Sequence, residues 1–571
     1  MLLNIKLLSI IIISCLGIIV YSNTYHCSFH FDDFSSIVTN PNIRHIHDLH
    51  HIWKNWPSRF ITYLSIALNY HFYGVNVYGY HLVNFLVHLI TSLLVWWLVR
   101  LTLLTPAMKG NKIADHGDWV ALFAGLIFLT HPLQTQAVTY IIQRAASMAT
   151  MFYVASLCLY IKSRLLQHEK SASKYYIGSL ICAVFAMFCK EMAISLPLMV
   201  LLYEYSFFPS NDRLKSKSLG PYWFILGALL LTMVLTHSVN FQELRRATEK
   251  PSELSSVQYL MVQFRVIVTY LRLVILPLGQ NIDYDYPAAK TIFGFSTLMS
   301  FLFLGAILIA AKKLYSKYTL ISFSILWFFL ALLPESSFWP IRDVIVEHRL
   351  YLPMVGYSLF LVSGAYYWWG KDNFRSMAIV LSMIIACNAV LTFERNKTWK
   401  NEFTLWDDTV HKSPHKARPY INRGLARYNE ANFAKAVLDY NRAIELDPDA
   451  SDVFYDRGLA NEIMRQFNAA IADYNSCIKI DPKNADAYYN QGNAYFKEGR
   501  FDLAIDDFTK AIKINPRQAD PYNNRGLAYS KLGNFDQAFS DYSRAIKLNP
   551  KDRDAYHNLG LLKQNQEWIN R

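Results

Sequence analysis

The feature that most constrains this chain is a series of long apolar stretches running from Met1 to about Phe393. Most hold about 17 to 22 residues rich in Leu, Ile, Phe, Tyr and Trp, and a helix of that length crosses a hydrocarbon core of about 30 Å. After Glu394 such stretches end and polar, helix-forming sequence follows. The sequence therefore predicts an all-α protein in two parts, a polytopic membrane domain followed by a polar helical domain.

We predict about eleven membrane spans from the positions of these stretches. The spans are 3–22, 80–99, 119–131, 147–163, 175–190, 192–208, 221–238, 293–311, 318–334, 350–369 and 377–393. Two of them, 119–131 and 175–190, are short and have the least defined ends. The first span resembles a lipoprotein signal ending at Cys15, but its apolar run continues through Tyr21. We therefore interpret it as an uncleaved anchor.

Charge in the connecting loops predicts the orientation. With the N-terminus inside, the loops 100–118, 162–174, 209–220, 312–317 and 370–376 hold fifteen Lys or Arg and five acids. The opposite loops, 23–58, 132–146, 239–258, 279–292 and 335–349, hold nine basic residues and eleven acids. Because positively charged loops stay in the cytoplasm, this asymmetry places the second set outside. The net charge of +13 is then accounted for by the loops, and we expect no nucleic-acid partner.

One apolar segment does not fit the alternation. Residues 259–278 carry Arg265 and Arg272, and a crossing here would turn the basic loops that follow it outward. We predict that this segment is an interfacial or re-entrant helix on the outer side. An odd number of spans then places the C-terminal domain outside, although the basic cluster at 394–400 counts mildly against this.

Glycine and proline each recur every 34 residues in the polar part of the chain. The glycines are Gly424, Gly458, Gly492, Gly526 and Gly560, and the prolines are Pro414, Pro448, Pro482, Pro516 and Pro550. The pattern resembles the tetratricopeptide repeat, in which small residues let paired helices approach and proline ends the second helix. We predict a membrane domain at 1–393, a linker and half repeat at 394–416, and four repeats with a closing helix at 417–571. Such repeats bind a protein partner in a concave groove, act as spacers or form dimer contacts, and we favour partner binding.

Charged and histidine side chains at membrane boundaries cost free energy unless they are paired or solvated, which makes them candidates for function. On the outer side they are Asp32, Asp33, Arg59, His81, His131, Arg144, Lys190, Glu191, Glu347, His348 and Arg349. A carboxylate takes a proton from a hydroxyl or binds a divalent ion, and Arg and Lys bind phosphate. Such groups move a sugar from a lipid phosphate to a hydroxyl. For any single residue, packing or mutual neutralisation is the alternative, as for the neighbours Lys190 and Glu191.

The order of motifs is more specific than any one of them. After the first span come FDD, RFITYLSIALNY, GYHLVN, HPLQTQAV, CKEMAISLPLMVLLYE, YLRLVILPLGQNIDYDYP, EHRLYLP and finally the repeats. Over nearly the whole chain this order resembles the transmembrane and tetratricopeptide-repeat O-mannosyltransferases of the secretory pathway and their bacterial relatives, membrane glycosyltransferases of the GT-C fold. The resemblance implies an inverting sugar transfer from a polyprenyl-phosphate donor to a protein or glycan acceptor. An acid of the first outer loop is then the catalytic base, which maps onto Asp32 or Asp33 with a slight preference for Asp33. The other nine candidates would lie around the donor.

Two departures from the animal pattern bear on the substrate. Gln136 stands where the animal enzymes have Glu, and QRAAS lacks their final acid, so the chain looks more like the bacterial branch. We therefore expect a bacterial inner-membrane protein with periplasmic repeats, and mannose becomes doubtful as the sugar. A divalent metal ion stays an open alternative. The competing functions are a non-enzymatic repeat scaffold for envelope assembly and a transporter, whose spans should carry paired charges at mid-depth.

Overall fold

The computed structural model describes residues 5–44, 46–208, 219–235, 254–287, 291, 293–337, 340–341 and 343–569. It divides into two compact units, Met1–Asp408 and Thr409–Arg571. The ends of the predicted spans 3–22 and 221–238, most of the predicted loops 209–220 and 239–258, and Arg571 lie outside the described residues. Within the described residues every regular element is a helix, which confirms the all-α prediction.

In the first unit, α-helices alternate with short 3-10 and π turns. The α-helices are α1 (Ile5–Val20), α2 (Leu49–Asn55), α3 (Phe60–Tyr73), α4 (Val77–Leu103), α5 (Gly117–Thr130), α6 (Thr135–Val138), α7 (Arg144–Leu165), α8 (Ala172–Met187), α9 (Leu196–Phe207), α10 (Gly220–Leu235), α11 (Ser256–Ile275), α12 (Phe295–Leu314), α13 (Thr319–Leu332), α14 (Pro353–Ala365), α15 (Phe374–Thr398) and α16 (Glu402–Lys412).

Six helical segments in the described part of the chain are long and apolar enough to cross a membrane. They are Val77–Leu103, Lys112–Thr130, Ile141–Leu165, Ser256–Ile275, Phe295–Leu314 and Phe374–Thr398. Shorter apolar helices are Ile5–Val20, Ala172–Met187, Gly220–Thr232 and Thr319–Leu332. The chain is a multi-pass membrane protein, and the count of eleven spans stays a prediction. Ser256–Ile275 meets the length and composition requirement, so its interfacial placement also stays a prediction.

Close packing of α1, α4 and α5 holds the base of the outer loops. A Cβ added at Gly125 of α5 would lie 3.2 Å from the Ile13 Cδ1 atom, the Ser92 carbonyl oxygen and the Trp96 Cβ atom. Small residues permit such close approach between helices in a membrane, where van der Waals packing drives association. The contact fixes the end of α1, from which the first outer loop leaves.

The second unit pairs its helices in the 34-residue period. Its helices are α17 (Ala417–Asn429), α18 (Phe433–Leu446), α19 (Ser451–Ile463), α20 (Phe467–Ile480), α21 (Ala485–Lys497), α22 (Phe501–Ile514), α23 (Asp520–Lys531), α24 (Phe535–Leu548) and α25 (Arg553–Ile569). A Cβ at Gly424 would lie 2.7 Å from the Tyr440 ring, and one at Gly458 would lie 2.6 Å from the Tyr474 ring. Glycine is therefore required where the first helix of a repeat meets the aromatic ring of the second.

A recurrent ion pair joins the two helices of three repeats. The pairs are Arg423 with Asp439 at 2.6 Å, Arg457 with Asp473 at 2.5 Å, and Arg525 with Asp541 at 2.8 Å. The third repeat has Gln491 in place of the arginine, and its amide donates to the Ile471 carbonyl oxygen instead. Asp507 then pairs with Lys510 through Oδ1, while its buried Oδ2 has no hydrogen-bond partner among the described residues.

Candidate active site on the outer loops

The loop after α1, residues 27–33, presents the two acids in opposite ways, and we call it the acidic loop. Asp32 is exposed, whereas Asp33 is fully buried. The Asp33 carboxylate accepts backbone N–H groups from His30 at 3.0 Å and from Ile142 at 2.8 Å. Phe31, directly before the pair, has φ +41°, a left-handed conformation that non-glycine residues rarely adopt. The acids therefore sit on a strained turn that is held by contacts with distant parts of the chain.

The environment of Asp33 changes its ionisation. Burial raises the pKa of Asp33 to about 7, although the His30 and Ile142 N–H groups and the charge of His30 lower it, and the charge of Asp32 raises it slightly. Desolvation is the dominant cause because a buried carboxylate loses its hydration. Asp33 is consequently divided between its protonated and ionised forms near neutral pH.

Tyr140 connects the acidic loop to the segment that begins at His131. Its hydroxyl oxygen accepts the Asp32 N–H at 3.0 Å, and its ring stacks on Trp399 with a centroid distance of 5.7 Å. Burial raises the pKa of Tyr140 well above its usual value, and the charges of Asp33 and Asp32 raise it further. Tyr140 therefore stays a neutral phenol between the two acids. It was not among the predicted site residues.

A second group of charged side chains gathers at the turn between α8 and α9. Arg59 binds Glu191 through two hydrogen bonds of 3.1 Å each, from Nε and Nη2 to the two carboxylate oxygens. Lys190 lies 3.0 Å from the Glu335 carboxylate, and its side chain is only 6% exposed. Glu335 was missed by the sequence analysis, although a carboxylate just after Pro334 at the end of an apolar stretch is a usable signal. The neighbours Lys190 and Glu191 therefore take different partners.

Arg349 and His348 complete this group. Burial lowers the pKa of His348 well below its usual value, and the charges of Lys190, Arg349 and Arg59 lower it further. The His348 Nδ1 atom is buried and has no hydrogen-bond partner among the described residues. Arg59, Lys190, His348 and Arg349 therefore form one cluster, which we call the cationic cluster, with His348 as its neutral member.

Backbone and amide groups hold the last two residues of the cluster. Arg349 donates to the carbonyl oxygens of Asp343 at 2.9 Å and Val344 at 3.1 Å. The His348 N–H donates to the Gln136 side-chain oxygen at 2.6 Å. Gln136, the residue that departs from the animal pattern, thus supports the turn that carries the cluster.

Tyr63 lies between the acidic loop and the cationic cluster. Burial raises its pKa, while the charge of Arg59 lowers it and the charges of Asp32 and Glu191 raise it. One hydroxyl group therefore experiences charges from both groups, which places the exposed acid and the paired arginine on the same part of the surface. Tyr63 was also absent from the sequence prediction, since a tyrosine within an apolar helix gives no distinctive signal.

Two of the predicted site residues bind other parts of the protein. Buried Arg144 donates to the side-chain oxygens of Asn84 at 2.6 Å and Asn69 at 2.5 Å and to the Tyr80 carbonyl oxygen at 3.0 Å. It therefore ties the start of α7 to α3 and α4. His131 shares a hydrogen with the Val274 carbonyl oxygen at 2.9 Å, and its other ring nitrogen accepts the N–H of Leu133 at 3.3 Å.

Two further predicted residues contact outer loops. His81 Nε2 lies 2.9 Å from the Cys27 carbonyl oxygen, which anchors the acidic loop to α4. Buried Glu347 accepts the Asn281 N–H and the Tyr284 hydroxyl, each at 2.6 Å, and so fixes the loop after α11. Of the eleven predicted residues, the structure gathers Arg59, Lys190, Glu191, His348 and Arg349 in one place and Asp32, Asp33 and His81 in another.

The described residues offer a poor fit to a resident metal ion. They contain no group of three or more His, Cys, Asp or Glu side chains placed to hold one. Both oxygens of Asp33 already accept backbone N–H groups. We therefore derive no step through a metal ion.

An apolar groove of about 480 Å³ runs between α9 and α13. Its lining residues are Leu198, Leu201, Leu202, Tyr205, Leu326, Phe329, Leu330 and Leu333. One end lies near the ion pair of Lys190 and Glu335, because Leu333 precedes Glu335 by two residues and α9 follows the turn that begins at Glu191.

The fold and these sites define a multi-pass helical membrane protein with a charged outer surface and C-terminal repeats. Residues 417–450, 485–518 and 519–552 match the family described as tetratricopeptide repeat, and residues 466–499 match the family described as TPR repeat. The repeat prediction is therefore confirmed. The crystal structure of MamA is 26% identical, covers 26% of this chain and 87% of its own, and has a TM-score of 0.26.

Three curated relatives extend the comparison into the membrane unit. Protein O-mannosyl-transferase Tmtc3 of Drosophila melanogaster is 25% identical over 519 residues, covering 78% of this chain and 56% of the relative. TMTC3 of Homo sapiens is 25% identical over 492 residues, covering 78% and 52%. TMTC2 of Mus musculus is 31% identical over 223 residues, covering 36% and 25%. The homologues of this chain are thus the TMTC O-mannosyltransferases, and it spans about half the length of the first two.

Proposed function

We propose that this protein is a glycosyltransferase of GT-C type that moves a sugar from a polyprenyl phosphate to a hydroxyl of a protein acceptor on the outer face of the membrane. The observation that carries the proposal is the placement of the exposed carboxylate of Asp32 and the cationic cluster on either side of Tyr63. The names of the relatives support sugar transfer to protein, and the charge of the loops supports the outer face.

In this proposal Asp32 is the general base. Its side chain is exposed, whereas Asp33 is buried and uses both oxygens to hold the acidic loop, so the slight preference drawn from the sequence is reversed. Asp32 takes the proton of the acceptor hydroxyl, whose oxygen forms a bond to the anomeric carbon of the sugar. The bond from that carbon to the phosphate oxygen breaks, and the polyprenyl phosphate leaves with the electron pair.

The cationic cluster stabilises the leaving phosphate. Arg59, Lys190 and Arg349 carry positive charge, which favours the negative charge that develops as the bond to the sugar breaks. The neutral imidazole of His348 adds a hydrogen bond without adding charge. Glu191 and Glu335 orient Arg59 and Lys190 through the ion pairs that the structure contains.

The apolar groove between α9 and α13 accommodates the polyprenyl chain of the donor. Its lining is aliphatic and aromatic, and its outer end leads to Lys190. A lipid phosphate has the same two parts in the same order, an apolar chain and a charged head. The repeats then bind the acceptor or a partner protein, as tetratricopeptide repeats commonly do. A bacterial inner membrane and a sugar other than mannose remain part of this proposal on the strength of Gln136.

The test is sugar transfer by the full-length protein in lipid vesicles, using polyprenyl phosphates loaded with mannose or another labelled hexose. Asp32→Asn should lower turnover by about 100-fold or more, the range of general-base catalysis. Asp48→Asn is the matched control on the same outer loop, because Asp48 caps α2 and asparagine is an equally good N-cap. Undiminished transfer by Asp32→Asn would contradict the base assignment, and envelope assembly that depends on the protein but not on Asp32 would favour the scaffold.

A further inference from the structure

The acidic loop is attached to a segment that lies more than 360 residues away in sequence. The Ser28 N–H donates to the Lys400 carbonyl oxygen at 3.2 Å, and the Asn23 amide donates to the Phe393 carbonyl oxygen at 2.9 Å. The Phe31 ring packs edge-on against Trp406 with a centroid distance of 5.7 Å. The sequence analysis assigned the later segment to a linker, yet part of it forms one wall of the acidic loop.

Glu402, the first residue of α16, makes the central contacts of this attachment. Its Oε1 atom lies 2.8 Å from His30 Nδ1 and accepts the Phe31 N–H at 3.3 Å. Its Oε2 atom accepts the Trp406 indole N–H at 2.7 Å. One carboxylate therefore binds the two residues that directly precede the acid pair, including the residue with positive φ.

The hydrogen-bond partners of His30 define its charge. Its Nε2 atom lies 2.7 Å from the Trp399 carbonyl oxygen, which only accepts, so Nε2 carries a hydrogen. Its Nδ1 atom faces a carboxylate that already receives two N–H donors, and such donors favour the ionised form of Glu402. An ionised carboxylate also only accepts, so Nδ1 carries a hydrogen as well. His30 and Glu402 thus form a charged pair, and the His30 side chain is fully buried.

The strain at Phe31 gives this pair a function. A non-glycine residue with φ near +40° costs free energy and persists only where surrounding contacts fix it. Glu402 accepts the Phe31 N–H, and His30 in turn donates its own N–H to the Asp33 carboxylate at 3.0 Å. The contacts form a continuous series from Glu402 through His30 and Phe31 to the acid pair.

The geometry points to Glu402 as a positioning residue for the catalytic base, which keeps the strained turn and so holds Asp32 toward the cationic cluster. This inference rests on the proposed function of Asp32 and extends it to a residue outside the outer loops. Glu402 touches neither donor nor acceptor in this arrangement. Its loss should therefore lower kcat and leave the KM for the donor nearly unchanged.

The test compares Glu402→Gln with Glu394→Gln in the full-length protein. Glu394 is a fitting control because it lies eight residues earlier, is exposed and pairs only with Lys397 among the described contacts of its side chain. For Glu402→Gln we expect kcat to fall about tenfold, the donor KM to change less than twofold, and amide hydrogen exchange in residues 26–34 to rise several-fold. Exchange in residues 417–552 should not change, and Glu394→Gln should match the wild type in all three measurements.

Two outcomes overturn the inference. One is unchanged exchange in residues 26–34, and the other is faster exchange with unchanged kcat. If Glu402→Gln does not fold, Trp406→Phe removes only the donor to Oε2 and keeps an aromatic ring against Phe31, so the same readouts apply with smaller changes. Asp32→Asn, measured alongside, tests the proposed function separately, because it should abolish turnover while leaving the exchange of the loop at the wild-type rate.

Discussion

At the scale of single residues, Asp32 and Asp33 are chemically identical neighbours with different environments. The difference arises from the backbone: the turn at Phe31 directs one carboxylate inward to the N–H groups of His30 and Ile142 and leaves the other exposed. A buried carboxylate with two N–H donors stabilises a loop, whereas an exposed one is accessible to a substrate. The pair therefore combines a structural acid with a reactive one.

This division predicts how stability depends on pH. The pKa of Asp33 is about 7 in the folded protein and about 3.8 when unfolded, so between these values the folded state holds a proton that the unfolded state has released. Raising the pH through that window therefore lowers the free energy of unfolding, and the contribution is constant outside it. We expect the thermal midpoint of the wild type, relative to Asp33→Asn, to fall between pH 5 and pH 8.

The variant itself should be less stable at every pH, because an asparagine NH₂ group faces one of the two N–H donors and leaves it unpaired, at a cost of about 1–3 kcal/mol. Taking the difference between the two proteins removes the titration of other groups, His348 among them. A difference that does not vary with pH would show that Asp33 titrates as an ordinary exposed acid.

At the scale of elements, the repeats were readable from sequence and the acidic loop was not. The 34-residue spacing encodes contacts within one repeat, such as Gly424 against Tyr440, and these are local enough to appear as a period. The acidic loop depends on partners at Ile142 and Glu402, more than 100 and 360 residues away. No local pattern specifies such contacts, so the sequence identified the acid pair but not which member is buried.

The third repeat offers a test of element stability. Gln491→Arg should supply Asp507 with the partner that the equivalent acids have in the other three repeats, and so satisfy a buried oxygen. We expect stabilisation of the repeat unit by about 1 kcal/mol, measured as a higher denaturation midpoint of the full-length protein. The reverse change in the second repeat, Arg457→Gln, should destabilise it by about 1–3 kcal/mol because it leaves Asp473 without its cation.

If Gln491→Arg lowered the midpoint, the hydrogen bond from Gln491 to the Ile471 carbonyl oxygen would be the more important contact at this position.

At the scale of the whole molecule, the proposal depends on orientation. The charge of the loops places the acidic loop and the cationic cluster outside, and α11 is the element on which the side of the repeats depends. If Ser256–Ile275 crossed the membrane, the segments after it would change sides, and the outer loop with Glu347 would separate from the one with Asp32. The contact between His348 and Gln136 favours a common side for those two loops.

We therefore predict that a reporter fused after Arg571 is accessible from outside the membrane, while one inserted in the loop 312–317 is accessible only from the cytoplasm. Both positions follow α11 in sequence, so a crossing there would invert both results together. Protease protection in sealed vesicles of known orientation gives the readout for each fusion.

The fit between glycine and aromatic ring has a consequence for how this chain can change length over evolution. Because Gly424 meets Tyr440 and Gly458 meets Tyr474, each repeat carries both halves of its own contact. A duplication or deletion of 34 residues, begun at any point in the array, regenerates one complete set of such contacts and preserves the register of the rest. Gene-level copying in that unit therefore lengthens or shortens the solenoid without new packing, whereas any other unit separates a glycine from its ring.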